Sequence, residues 1–181
     1  AGNYSCIVTD NNGCSVNSSV FVSEPSSMSL NMTSTDVSCN GGSNGSAWAA
    51  VSGGVPPYSW QWSNGQTGSP INNLIAGNYS CIVTDNNGCS VTSIVSVSEP
   101  QQLIVNVSQN NFNLVTSSFG GSPPYIYEWN TGGISSQITP TLNGNYWVVI
   151  TDVNGCVSDT SFINVDWVPT SIDDLNIDNF M

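Results

Sequence analysis

The chain has no lysine, no arginine and no histidine among its 181 residues, against 12 aspartates and glutamates. An average chain of this length would carry about 20 Lys and Arg, so the gap is a property of the protein. Each absence excludes a chemistry. Without His or Lys, no side-chain base titrates near neutrality unless a carboxylate or thiolate is strongly perturbed. Neither a Ser-His-Asp nor a Cys-His arrangement can be assembled, and no imidazole is there to hold a metal. Without cations, phosphate backbones find nothing to bind, which excludes nucleic acid. An anionic membrane surface lacks its partner for the same reason. No run approaches about 18 consecutive apolar residues, so no membrane span is expected. Paired carboxylates for glycoside hydrolysis must converge in a cleft, and the adjacent pair Asp173 and Asp174 lies in the tail. The expectation is a chain with no catalytic residue, no metal ligand, no cofactor and no enzymatic activity.

What is present is 39% hydrophobic residues, enough for cores, in a background of Ser, Thr, Asn and Gly with six cysteines. Cysteines in such a background fit an oxidising, extracytoplasmic setting. The strongest signal is internal identity. Residues 1–16 read AGNYSCIVTDNNGCSV, and residues 76–91 read the same sixteen letters. Val22-Ser23-Glu24-Pro25 recurs as Val97-Ser98-Glu99-Pro100. A diverged third copy runs from Asn143 through Tyr146 and Asp152 to Cys156. Upstream, Gly53-Gly54-Val55-Pro56-Pro57-Tyr58 is matched by Gly120-Gly121-Ser122-Pro123-Pro124-Tyr125. The expected organisation is the end of a truncated repeat (1–25), a complete repeat (26–100), a diverged repeat (101–166) and an acidic linker (167–181). The chain opens in mid-repeat on Ala1-Gly2-Asn3-Tyr4, without a basic or apolar leader. A lone hairpin is marginal in water, so further sequence is expected before it, or else strand donation to a neighbouring molecule.

Alternation at period two marks half-buried strands. Ala47, Ala49 and Val51 share one face; so do Tyr58, Trp60 and Trp62, then Tyr79, Cys81 and Val83, then Val91, Val95 and Val97. The turns carry hairpin chemistry, as in Ser63-Asn64-Gly65 and Asp85-Asn86-Asn87-Gly88. About seven short strands per repeat, with no helical periodicity, is the sandwich pattern.

Two resemblances carry this further. Ala76-Gly77-Asn78-Tyr79-Ser80-Cys81 resembles the tyrosine-corner strand of immunoglobulin-like domains, and Trp60 or Trp62 resembles their core tryptophan. The usual second-strand cysteine is missing, with Ala49 near its place. More specifically, the spaced blocks Val37–Ala47, Ser52–Tyr58, Ala76–Tyr79 and Val83–Cys89 resemble the SprB repeat of large surface adhesins of gliding Bacteroidota. Residues 101–166 are looser and closer to a PKD-type domain. The tail Val168–Met181 resembles the lead-in to a type IX secretion C-terminal sorting domain. The fold so implied is all-β, with tandem immunoglobulin-like sandwiches in an elongated array.

In that topology several disulfide schemes stay open. Cys39 can bridge to Cys156 of the following repeat, so that Cys14 and Cys89 take partners from preceding repeats. Alternatively it pairs within its own repeat, with Cys89 or with Cys81. Cys6 and Cys81 read as buried small apolar residues. The turn aspartates Asp10, Asp85 and Asp152 suggest Ca²⁺ only weakly, and read first as turn residues bonding their own backbone. Trp48 and Trp147 have outward parity and are candidate contacts for a sugar ring or a partner protein. The resemblance implies a structural stalk segment of a secreted, outer-membrane-associated surface adhesin exported by type IX secretion, serving adhesion or gliding. Its partners would be neighbouring repeats of the same chain, the secretion machinery with outer-membrane components, and surface glycans. Two alternatives stand beside it: a carbohydrate- or protein-binding module using the outward tryptophans, and a filament subunit assembled by strand exchange.

Overall fold

A computed structural model describes residues 1–166 of the chain. The sorting-domain lead-in and the linker 167–181 lie outside the described residues. All regular structure in them is β-strand. Strands β1 (Gly2–Thr9) and β2 (Ser15–Val22) form an antiparallel hairpin on their own. β3 (Ser29–Thr35), β4 (Gly45–Ser52) and β6 (Ile71–Leu74) form a three-stranded sheet in the order β3-β4-β6. β5 (Ser59–Trp62), β7 (Gly77–Thr84) and β8 (Ser90–Val97) form a second, β5-β7-β8. The pattern then repeats. β9 (Ile104–Asn110), β10 (Asn113–Phe119) and β12 (Gln137–Ile138) make one sheet, and β11 (Ile126–Trp129), β13 (Gly144–Thr151) and β14 (Ser161–Val165) the other.

First, second and fourth strands in one sheet, third, fifth and sixth in the other, is the immunoglobulin-like arrangement. Six strands form per repeat where the spacing predicts about seven. The missing strand would lie between β5 and β6, where residues 63–70 are turns and bends with a single isolated bridge, Gln61↔Thr67.

The described residues fall into two compact units, each considered alone. The first comprises Ala1–Thr33, Ala47–Ile71 and Asn78–Val95; the second comprises Ser34–Ser46, Asn72–Gly77 and the described residues from Ser96 on. In the first unit the inward parity of the strands buries Ala47, Ala49, Trp62, Ile71, Tyr79, Cys81 and Val83. In the second, Leu103, Val105, Leu114, Trp129, Tyr146, Val148, Ile150, Cys156 and Val165 pack as one core. Each core tryptophan needs an acceptor for its indole N–H once buried. Trp62 Nε1 donates to Gly68 O at 2.8 Å, and Trp129 Nε1 to Ser135 O at 2.9 Å. Trp62, not Trp60, is therefore the core tryptophan; Trp60 is half-buried and stands edge-on to Tyr58. Tyr146 Oη donates to Leu142 O at 2.9 Å, a tyrosine corner.

The sixteen-residue block occurs twice in different surroundings. At 76–91 it supplies β7 and the start of β8, with β5 paired alongside β7, and Tyr79, Cys81 and Val83 are buried. At 1–16 the same letters form β1 and the start of β2, and Tyr4 is 58% exposed, with Cys6 and Val8 exposed as well. Cys6, expected as a buried apolar residue, is exposed in this two-stranded hairpin. The strand forms and pairs as its sequence dictates, but burial needs an opposing sheet, and β1–β2 is a sheet of two strands only. Covering such a side chain is worth about 1.5–3 kcal/mol.

Each repeat enters its first strand past a glycine pair that allows close backbone approach. Gly120 has φ +70°, and a Cβ there would lie 2.0 Å from Gln102 O; Gly53 has φ +76° with Ser27 O at 2.1 Å. The neighbouring Tyr125 Oη latches onto Gly120 O at 2.8 Å, as Tyr58 Oη does onto Gly53 O. Gly155 also has positive φ but open space around it. We expect Gly120→Ala to cost at least about 2 kcal/mol in urea unfolding, against about 1 kcal/mol for Gly155→Ala, because only the first adds a backbone clash to the left-handed strain.

Candidate functional site

The chemistry of this chain concentrates at the Asp-x-Asn-Gly-Cys turn. In the second unit the turn joins β13 to the segment before β14. Asp152 is buried, and no side-chain cation exists to neutralise it. Backbone N–H groups do so instead. Asp152 Oδ1 accepts from Asn154 N and Cys156 N, both at 2.9 Å, and Oδ2 from Ser122 N at 2.8 Å. Burial alone would raise this carboxyl, but the donated N–H bonds outweigh it and hold Asp152 below the ordinary carboxylate value. Asp85 repeats the arrangement. Val55 N donates to Oδ2 at 2.9 Å, and Asn87 N and Cys89 N to Oδ1 at the same distance. The Val55 bond is the largest cause of its lowered pKa. These aspartates tie the turn to the glycine-proline loop upstream. Among the described residues no cluster of three or more His, Cys, Asp or Glu side chains could hold a metal.

The turn presents its cysteine to the loop between β3 and β4. Cys39 and Cys156 form a disulfide with Cα atoms 5.6 Å apart, across 117 residues of sequence. Both belong to the second unit. Around the bond, Gly41 N donates to Glu99 Oε2 at 2.6 Å and Asn40 Nδ2 to Pro100 O at 3.1 Å. Cys156 Sγ lies 3.3 Å from Ser38 O, and Asn154 Nδ2 reaches the same oxygen at 3.5 Å. The loop is braced internally by Ser38 N donating to Asn44 Oδ1 at 3.0 Å. Of the pairings the sequence leaves open, the inter-repeat one is formed. Cys39–Cys89 and Cys39–Cys81 are not. These bonds all lie within the second unit, which takes in residues 34–46.

Cys81 is buried, and desolvation raises its thiol above the ordinary value, partly offset by a backbone bond with Gln61. It is a packed, unreactive residue. Cys6, Cys14 and Cys89 are exposed and unbonded.

Trp48 stands on β4 with 55% of its surface exposed. Trp147 on β13 is only half-exposed, because Phe162 of β14 lies opposite it in register. By the same alternation Val149 of β13 and Ile126 of β11 face outward, and Phe162 and Ile126 are each 69% exposed. Beside Trp147 the outward strip thus adds Phe162 and Val149, while Glu128 stands opposite Val149 and separates them from Ile126, which lies opposite Thr151. Phe162 and Ile126 were missed from sequence because single exposed apolar residues at strand ends carry no signal until register places them.

Residues 31–67 match the SprB repeat family. No curated protein matches the chain. Among solved structures it is similar to the N-terminal eight immunoglobulin domains of Down syndrome cell adhesion molecule (16% identity, TM-score 0.42), covering 91% of this chain and 28% of that one. It is similar also to the fibronectin(III)-like modules of Clostridium thermocellum CbhA (12% identity, TM-score 0.31), covering 76% of this chain and 94% of that one. A structure concerned with Dscam isoform specificity matches at 13% identity and TM-score 0.32, covering 90% of this chain and 53% of that one. The chain thus spans little more than a quarter of the length of the first of these.

The SprB repeat match runs from within β3 to just beyond β5, and so contains the whole Cys39 loop, Trp48 and the Gly53-Gly54 pair. Two tests follow from the chemistry of these turns. A Cys39→Ser, Cys156→Ser double variant should lose between about 2 and 5 kcal/mol of stability, the larger figure being the loop-closure entropy of so long a loop; denaturant titration with and without reductant measures it. The second concerns pH. Because Asp85 and Asp152 have folded pKa values below the unfolded value of about 3.9, their contribution is complete above that value and is lost as pH falls through the lower folded values. Asp152→Asn should flatten the acid limb of a stability-against-pH curve, while leaving its slope above pH about 6 unchanged.

Proposed function

We propose that this chain is a stalk segment of a large secreted cell-surface adhesin, exported by type IX secretion and serving adhesion or gliding. The observation that carries this reading is the covalent clamp between successive repeats. The Cys39–Cys156 bond fastens a loop of one repeat to the terminal turn of the next. A binding domain gains nothing obvious from such a bond. A tether under load does, because the bond keeps the sequence between two cysteines 117 positions apart from being drawn out. The SprB match supports the adhesin assignment. The absence of Lys and Arg supports exposure to extracellular proteases, since trypsin-like enzymes find no site. The chain's composition, without cations or imidazole, supports a role that is not enzymatic. Elongated tandem stacking, the secretion route and an outer-membrane anchorage belong to the same proposal.

A second reading rests on the strip of Trp147, Val149 and Phe162. Outward aromatic and aliphatic groups on one sheet suit stacking on a sugar ring or a partner protein, and Trp48 offers a separate exposed ring.

Single-molecule pulling from the two chain ends tests the stalk. The oxidised chain should release about 400 Å less contour than the reduced one, at about 3.5 Å per residue. Equal lengths would mean that the clamp carries no load. A glycan array with wild type, Trp48→Ala and Trp147→Ala separates the two readings: no retained glycan is expected, and specific binding abolished by Trp147→Ala would replace the stalk with a binding module.

A further inference from the structure

The two terminal turns offer the same seat in two states. At Cys156 the seat is filled by the Ser38-Cys39-Asn40-Gly41 loop, held by Glu99, Pro100, Asn154 and the disulfide. At Cys89 every counterpart is present. Glu24 and Pro25 belong to the repeated Val-Ser-Glu-Pro block that supplies Glu99 and Pro100, and Asn87 stands in the turn where Asn154 does. The turn has the same hydrogen bonds. Asp85 N donates to Cys89 O and Asp152 N to Cys156 O, each at 2.9 Å, and the carboxylates hold equivalent N–H groups. Between Glu24, Pro25, Met28, Gly54, Asp85 and Cys89 lies a recess of about 360 Å³. Its counterpart at Cys156, still about 320 Å³ with the loop in place, is lined by Leu103 and Gly155 together with Cys39 and Asn40 of the seated loop, so it is the added lining and the bonds, not the volume, that mark the occupied state. Cys156 is buried, whereas Cys89 on the same turn is exposed and unbonded.

We propose that the recess at Cys89 is a docking site for the Ser-Cys-Asn-Gly loop of another SprB-type repeat, and that Cys89 closes it by thiol–disulfide exchange, its thiolate attacking that loop's cysteine held as a mixed disulfide with a small thiol, which leaves as the thiolate. The loop's asparagine amide would donate to Pro25 O, the first glycine N–H to the Glu24 carboxylate, and Asn87 would meet the serine carbonyl. The chain's own Cys39 loop is already spent on Cys156, so the occupant comes from another repeat. The proposal rests on the stalk reading only for the source of the loop; the seat itself is a matter of this chain's residues.

Cys14 provides an internal control. Its turn has the same sequence, and Asp10 Oδ1 accepts from Asn12 N and Cys14 N at 2.9 Å. It lacks the other walls of the recess, since β1 and β2 form a sheet alone. The test supplies the peptide Val37–Asn44 as its mixed disulfide with glutathione to the full oxidised chain. The Cys89 thiolate attacks the peptide-side sulfur. The peptide–glutathione S–S bond breaks, a Cys89–peptide disulfide forms, and glutathione leaves as the thiolate, taking up the proton Cys89 gave. Adducts are located by tandem mass spectrometry after chymotryptic digestion.

Cys89 should take the peptide about ten-fold faster than Cys14, the effect of two or three modest hydrogen bonds. Oxidised glutathione without the peptide should label the two alike. Asn87→Ala and Glu24→Gln should bring Cys89 down to the Cys14 rate. Equal peptide rates at Cys89 and Cys14, the same preference with glutathione alone, or a preference untouched by both substitutions would each overturn the seat. None of these outcomes bears on the stalk, which stands or falls by the pulling and glycan measurements.

Discussion

The structure depends on how a chain without side-chain cations accommodates buried negative charge. A carboxylate taken from water must be paired or hydrogen-bonded, and here the only ion pair among the described residues is the amino terminus with Glu24 at 3.7 Å. Asp85 and Asp152 are therefore satisfied by backbone N–H groups alone. Such bonds come from fixed positions on the chain. They draw the terminal turn and the glycine-proline loop to one point, and they set the direction of the cysteine two residues past the asparagine. The same carboxylate that settles a charge problem thereby aims the thiol that clamps one repeat to the next. Asp10, with only the local pair of N–H bonds, shows the turn before the upstream loop is added.

The clamp changes what counts as a domain. Sequence repetition divides the chain at Pro25 and Pro100, but compactness groups the Cys39 loop with the repeat that follows it. The linker residues Glu99 and Pro100 are part of that union, accepting bonds from Gly41 and Asn40. A linker that accepts hydrogen bonds from the Cys39 loop is a joint rather than a spacer.

The strand pattern was legible before any coordinates because period two is a local property. Ala47 and Ala49, Tyr79, Cys81 and Val83, and Val97 are all inward, as alternation predicts. The repeated letters also located both core tryptophan strands, although choosing Trp62 over Trp60 required knowing which indole has Gly68 O in reach. Trp147 illustrates the limit. Its outward parity was readable, but the partial cover from Phe162 depends on the register of β14, which no local signal carries. Cys6 and Cys81 share sixteen letters but not the residues before them, and it is those upstream residues, β3 to β6, that supply the surroundings in which Cys81 is buried.

The sequence by itself determined the all-β class, the alternation of faces, the turn chemistry and the functions excluded by the missing Lys, Arg and His. These follow from backbone periodicity, side-chain size and the presence or absence of an ionisable group, none of which needs a neighbour in space. Tertiary structure alone decided that Cys39 meets Cys156, that Trp62 rather than Trp60 fills the core, and that Phe162 lies beside Trp147. Each of these turns on which segment of chain comes to lie against a given face.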